Sequence, residues 1–276
     1  MLVQANRRLT IRELAEECEI SVGFCHEILT EKLKMHRVAA KFVPRLMTDD
    51  QKANCVQVCQ ELLDRSEEDE NFLSRIITSD ESWVYGYDIE TKDQSSQWVG
   101  ETSARPKKAH QVQSNVKVML TVFFDAKGVV HHEYHPQGST VHQTYYIEVL
   151  KRLMDAIRRK RPEMWRSGDW FIHHGNAPAH SALRTREFLA KHSISVLPHP
   201  PYSPDLAPCD FFLFPKLKRP LKGRRFETVP ELKAIATKEL KDITREVYQD
   251  CFNKWKHRWD KCVRSEGEYL EWDPDM

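Results

Sequence analysis

Glycine is scarce, nine of 276 residues, and only 14 are proline, which excludes a fibrous or low-complexity chain. No apolar run approaches the roughly 18 residues of a membrane span, so no membrane association is expected. The opening MLVQANRRLT has no hydrophobic stretch behind its basic residues, so no secretory leader is expected either. Seven cysteines, Cys18, Cys25, Cys55, Cys59, Cys209, Cys251 and Cys262, are odd in number, scattered and without a CxxC pair. That usage fits a reducing intracellular compartment and argues against a disulfide framework or a zinc finger. No methyltransferase motif is present.

The charge total is nearly balanced, 42 Lys plus Arg against 41 Asp plus Glu, but its distribution is not. Residues 151–225 hold 16 cations against six acids. The densest part, KLKRPLKGRR, places Lys216, Lys218, Arg219, Lys222, Arg224 and Arg225 within ten residues, and RRKR at 158–161 adds Arg158, Arg159 and Lys160 followed by Arg161. Such clusters neutralise phosphates and release counterions, although a solvated basic helix face has the same composition.

Residues 9–33 read as two short helices. Thr10 and Glu13 form a TxxE capping box, Leu9, Ile11, Leu14 and Ala15 supply an apolar stripe, and Ile20 plugs the turn. Ser21 caps a second helix in which Val22, Cys25, Ile28, Leu29 and Leu33 recur at helical spacing. This is the pattern of a helix-turn-helix whose second helix enters the major groove, with Gly23, Phe24, His26, Glu27 and Thr30 facing outward. An αα-hairpin without a ligand fits the same pattern. From Lys34 to about Glu70 the chain reads as a linker with one polar helix, TDDQKANCVQVCQELLDR.

Beyond it the period changes to that of strands. RIITSD, SWVYGYD and SSQWV are β-rich, and VKVMLTVFF and VVHHEYH flank the hairpin signal Asp125-Ala126-Lys127-Gly128. A helix over YYIEVLKRLMDAIRRK, a strand WFIHH, a helix around ALRTREFLAKH, a strand ISVLPH and a helix near Asp210 follow, which gives an α/β domain. Trp255 and Trp259, with Tyr248, Cys251, Phe252 and Cys262, repeat at helical spacing as core rather than as a base-stacking platform. Polar residues gather at three places: Asp80 and Glu81 at the end of the first strand, HHGN at 173–176, and Pro208-Cys209-Asp210 before a helix. Paired Mg²⁺ ions need hard oxygen ligands from adjacent strands, and carboxylates at these sites would supply them. Taken alone, Asp80 also fits a turn and Asp210 an N-cap, and His173, His174 and His180 could form a metal cluster.

The blocks SDESWVYGYD (79–88), HHGNAPAH (173–180) and HPPYSPDLAPCDFFLF (199–214) resemble the three signature blocks of the mariner transposases of the Tc1/mariner superfamily, and the likeness runs from Arg8 to Tyr269. The resemblance implies an RNase H-like catalytic domain preceded by a small all-α helix-turn-helix domain, with boundaries at 1–40, a linker at 41–72 and a transposase domain at 73–276. It implies Mg²⁺- or Mn²⁺-dependent cutting and joining of double-stranded DNA at terminal inverted repeats, a nuclear location and a possible homodimer. Its aspartate triad falls on Asp80 and Asp210 as catalytic and metal-binding residues. The second position, separated from Asp210 by 34 residues, is Gly175.

Glycine cannot coordinate a metal, so weakened ion binding and impaired catalysis are expected, unless His174, Asn176 or a water stands in. The competing expectations are an active transposase or nuclease and a non-functional relic of a transposable element. The unit at 9–33 resembles the second of the family's two helix-turn-helix modules, with only Met1 to Arg8 before it. KFVPRL (41–46) is similar to the family's dimer linker motif, with Phe42 and Arg45 in place of its Trp and His.

Overall fold

In the computed structural model the described residues are 2–38, 42–100, 103–136, 138 and 140–270, and the chain forms two compact units, residues 1–43 and 44–276. The first unit holds three short helices, α1 (Leu2–Ala5), α2 (Ile11–Glu17) and α3 (Val22–Glu27), and a π-helical turn, Ile28–Lys32. Both bonds of the Thr10–Glu13 capping box form, and Ser21 Oγ accepts from Phe24 N at 3.2 Å, so each helix starts where an orphan N–H finds a side chain. Leu14, Ala15 and Cys25 are buried with Val3, Leu9, Ile11, Ile20 and Leu29 packed around them. Val22 and Leu33, expected on the apolar stripe, are exposed instead, because the six residues of α3 turn a single face inward.

In the second unit, the helix α4 (Asp49–Glu68) is more than a connection. Residues 41–72 were expected to be a linker, yet Cys55, Val58, Cys59, Leu62 and Leu63 join the main core and α4 packs along the last helix of the chain. Their spacing gives α4 an apolar face wide enough to bury. Lys41 lies outside the described residues.

The sheet begins with β1 (Ile76–Tyr85), β2 (Lys117–Asp125) and β3 (Gly128–Tyr134). β2 and β3 are joined through Ala126-Lys127, with Gly128 at φ 122° where an L side chain would be strained. SSQWV forms no strand, and Trp98 within it is fully exposed. It has no neighbouring strand to satisfy its backbone groups. Then come α5 (Gln143–Lys160), α6 (Pro162–Ser167), β4 (Phe171–His174), α7 (Pro178–Ser181), α8 (Leu183–Lys191) and β5 (Ser195–Leu197). A π-helical turn, Cys209–Leu213, runs into α9 (Phe214–Lys218), followed by α10 (Val229–Asp242) and α11 (Arg245–Arg264).

The five strands lie in the order β3-β2-β1-β4-β5, with β1 antiparallel to β2 and parallel to β4. Alternation along β1 divides the core between the sheet's faces. Ile76 and Val84 belong to one cluster with α4, α10 and α11, while Ile77 belongs to a second with Tyr146, Val149, Leu150 and Leu153 of α5. Trp255 of α11 is fully buried; its ring lies 4.7 Å from that of His173 and its indole N–H donates to the Leu206 carbonyl at 2.8 Å. It thereby pins the segment leading to Asp210 against the sheet.

Trp255→Phe keeps a large ring but leaves the buried Leu206 carbonyl without its donor, so urea unfolding should show a loss of about 1–3 kcal/mol. An unchanged midpoint would show that the indole bond does not hold this segment.

Candidate active site

Asp80 stands in the middle of β1 rather than at its end. The parallel partner β4 stops at the Ser79–His174 pair, but antiparallel pairing with β2 carries β1 on to Tyr85. Asp80 is therefore the first β1 residue beyond its β4 partner. By the two-residue period it shares a face with Thr78 and Ser82, whereas Glu81 faces the side of α5 and α7. Asp210 sits in the π-helical turn, its own N–H bonded to the Ala207 carbonyl at 2.9 Å, so it is not an N-cap.

The two carboxyl groups are half-buried, and the charge of Asp210 reaches Asp80. Burial, then the charges of Asp210 and Glu81, push the Asp80 pKa up to about 7, against the bond from Glu81 N to its Oδ1. Burial pushes Asp210 up to about 6, moderated by the Lys218 ammonium. One residue beyond the Ser79–His174 pair, the parallel register sets Gly175 beside Asp80. A Cβ built on Gly175 meets no heavy atom within 4 Å, and the backbone there is not left-handed, so a longer side chain has room.

The groups that might replace a carboxylate at 175 are engaged elsewhere. His174 Nδ1 pairs with Tyr146 Oη at 3.2 Å, and Asn176 Nδ2 donates to the His199 carbonyl at 2.8 Å. His173 sits between Thr78 Oγ1 at 2.9 Å and His199 Nδ1 at 3.2 Å. Burial holds the His173, His174 and His199 pKa values down, to about 3 for His174 and about 4 for His199. His180 differs: its Nδ1 meets the Gly175 carbonyl at 3.0 Å and its Nε2 lies 3.3 Å from Glu81 Oε2. Burial opposes its charge, but Glu81 and the Gly175 carbonyl outweigh that and raise its pKa. The three imidazoles thus face different partners.

Two buried carboxylates that repel each other call for a cation, and hard oxygens suit Mg²⁺ or Mn²⁺. Among the described residues no group of three His, Cys, Asp or Glu side chains could hold an ion.

The basic segments divide by environment. Lys216, Arg219, Arg224 and Arg225 are exposed, while Lys218 and Lys222 are half-buried and line one cavity with Asp210. Arg158 pairs with Asp155 at 3.0 Å, Arg159 and Lys160 donate to the carbonyls of Asp155 and Val129, and Arg161 makes a buried pair with Asp125 at 2.6 Å. In the first unit Gly23, Phe24, His26 and Glu27 are exposed, but the Thr30 hydroxyl already donates to the His26 carbonyl. Sequence reading missed the Glu81–His180 pair, which joins β1 to α7, and the Lys218–Ser82 bond. The strand period alone sets Ser82 on the Asp80 face; its partner on α9 needs the fold.

A mixed sheet of this order, with carboxylates on the central strand and on the helical turn after β5, defines an RNase H-like catalytic domain. Residues 88–167 match the family described as Transposase (partial DDE domain). The Mariner Mos1 transposase of Drosophila mauritiana is 34% identical over 263 residues, spanning 95% of this chain and 75% of that protein. The crystal structure of a pre-cleavage Mos1 transpososome superposes with a TM-score of 0.85 at 31% identity, covering 98% of this chain and 78% of that one, and Mos1 paired end complexes with Mn and with Mg match equally well. The chain belongs to the mariner family of transposases. It is also 29% identical to human Histone-lysine N-methyltransferase SETMAR, over 98% of this chain and 39% of that protein. Among the described residues no helix is long and apolar enough to cross a membrane.

The raised carboxylates give a pH signature in the metal-free chain. Folded-state values of about 7 and 6 exceed the ordinary 3.8, so between about pH 4 and 7 the folded state binds more protons than the unfolded one. Stability falls as pH rises through that window, by roughly 1.4 kcal/mol per pH unit for each group, and the penalty is complete above it. Urea unfolding in EDTA should show this decline, and Asp80→Asn should flatten it. Identical pH profiles for the two chains would contradict the assignment.

Proposed function

We propose that this chain is a mariner transposase-like protein that binds double-stranded DNA at transposon ends, acting in the nucleus, and that its strand cleavage is crippled at Gly175. The observation that carries the reading is the pair Asp80 and Asp210, half-buried and both raised in proton affinity, with glycine at position 175. Relatives of this fold crystallise as complexes with transposon ends and with Mn or Mg, which supports a divalent ion at the same carboxylates.

In this reading Asp80 and Asp210 hold a single Mg²⁺ or Mn²⁺, weakly, and Gly175 offers nothing to a second. Such an ion supplies positive charge to the phosphoryl group under attack, and an in-line displacement draws on one ion at each of the attacking and leaving oxygens. The protein's part is positional. β1 and the turn after β5 fix the carboxylates, and the Glu81–His180 pair steadies the Gly175 carbonyl from the opposite face. The exposed Lys216, Arg219, Arg224 and Arg225 are the sites at which the DNA backbone is neutralised, with Arg158, Arg159 and Lys160 as secondary contacts. The outward side of α3, Gly23, Phe24, His26 and Glu27, with Ser21 at its start and Thr30 beyond its end, is the groove-reading surface. A homodimer brings two ends together, as paired end complexes of the relative do.

The test is a nicking assay on mariner-type end DNA with Mn²⁺. The unmodified chain should bind the DNA and cut it slowly or not at all, and Gly175→Asp should raise cutting by at least 10–100-fold. A folded Gly175→Asp chain that binds the DNA yet cuts no faster would show that the site has decayed beyond this residue.

A further inference from the structure

A cavity of about 690 Å³ adjoins the carboxylates, and Asp210, Ser82, Lys218, Arg219 and Lys222 line it. Within it Lys218 is unlike the other cations of its segment. Its ammonium donates to Ser82 Oγ at 2.6 Å, two residues along β1 from Asp80 on the same face, and lies over Phe214, 5.7 Å from the ring centroid. An ammonium has three protons to donate, so two remain for an acceptor in the cavity. The charges of Asp88 and Asp210 reach the ammonium, but no hydrogen bond joins either to it. Asp88 Oδ1 already accepts from Ile89 N at 3.0 Å and Gln113 Nε2 at 2.8 Å, and Asp210 is one of the carboxylates assigned to the divalent ion. Burial lowers the Lys218 pKa while Asp88 and Asp210 raise it, as for a cation withdrawn from water without a full counter-charge.

Resting on the transposase reading, we propose that Lys218 is a positioning residue that grips one particular DNA phosphate, the one adjoining the bond to be cut. Ser82 fixes the ammonium relative to Asp80, and α9 fixes it relative to Asp210, because Lys218 lies two turns beyond that carboxylate on the same continuous helical segment. A phosphate seated on Lys218, with Arg219 and Lys222 at the cavity's edge, would bring the next phosphodiester over the carboxylate pair. The exposed Lys216, and Arg224 and Arg225 over the rings of Phe226 and Tyr87, do not line this cavity and serve as general backbone contacts.

Binding can be measured without any cleavage, on the full chain and end duplexes that carry one uncharged methylphosphonate at successive positions around the cleavage site. For the unmodified chain, neutralising the phosphate next to the cut should weaken binding about tenfold, the scale of a hydrogen bond to a charged group. For Lys218→Met that position should lose its special effect, while penalties at distant phosphates persist. Lys218→Arg should restore it. Lys218→Gln, which keeps a donor for Ser82, serves the same comparison should Lys218→Met fail to fold. A folded variant with the same position profile as the unmodified chain, or with affinity lost evenly at all positions, overturns the inference while leaving DNA binding standing. An unmodified chain that binds no duplex overturns the transposase reading and this inference with it.

Discussion

Confined negative charge at the centre of the sheet is the constraint on which the rest of the catalytic unit turns. Asp80 and Asp210 are far apart in sequence, and the fold brings them into one region where burial raises the proton affinity of both and the charge of Asp210 raises that of Asp80 further. A fold selected for stability alone would not gather unpaired carboxylates there. The surrounding structure holds them against that cost: β1 by pairing on both sides up to Ser79, the turn after β5 by the bond from Trp255, and α9 by the reach of Lys218 to Ser82.

Gly175 breaks the arrangement with little disturbance around it. The position is open, its backbone is unstrained for a side chain, and its carbonyl still meets His180. Its neighbours His174 and Asn176 are bonded elsewhere. On the proposed reading the loss is chemical rather than architectural, because the mariner fold persists around Gly175.

Much of this was legible in the sequence, for identifiable reasons. The hairpin signal at Asp125 to Gly128 located the β2–β3 turn, and helical spacing in α11 announced Trp255 and Trp259 as core. What stayed hidden depends on partners distant along the chain. The stretch 41–72 looked like a linker because the apolar face of α4 acquires meaning only against α11. Asp80 looked like a strand end because nothing local reveals that β2 extends β1 beyond β4. The RRKR run looked like a free basic patch, yet Arg161 neutralises the buried Asp125 across 36 residues. His180 looked like the start of a helix, and its pairing with Glu81 depends on α7 packing against β1.

The central claim is that one side chain separates this site from a complete one. Counting bound Mn²⁺ by calorimetry or electron paramagnetic resonance, on this chain and on its Gly175→Asp variant, addresses it without reliance on DNA or turnover. The account predicts at most one tight ion on the unmodified chain, lost in Asp80→Asn, and two on Gly175→Asp. Two equivalent tight ions on the unmodified chain would contradict it.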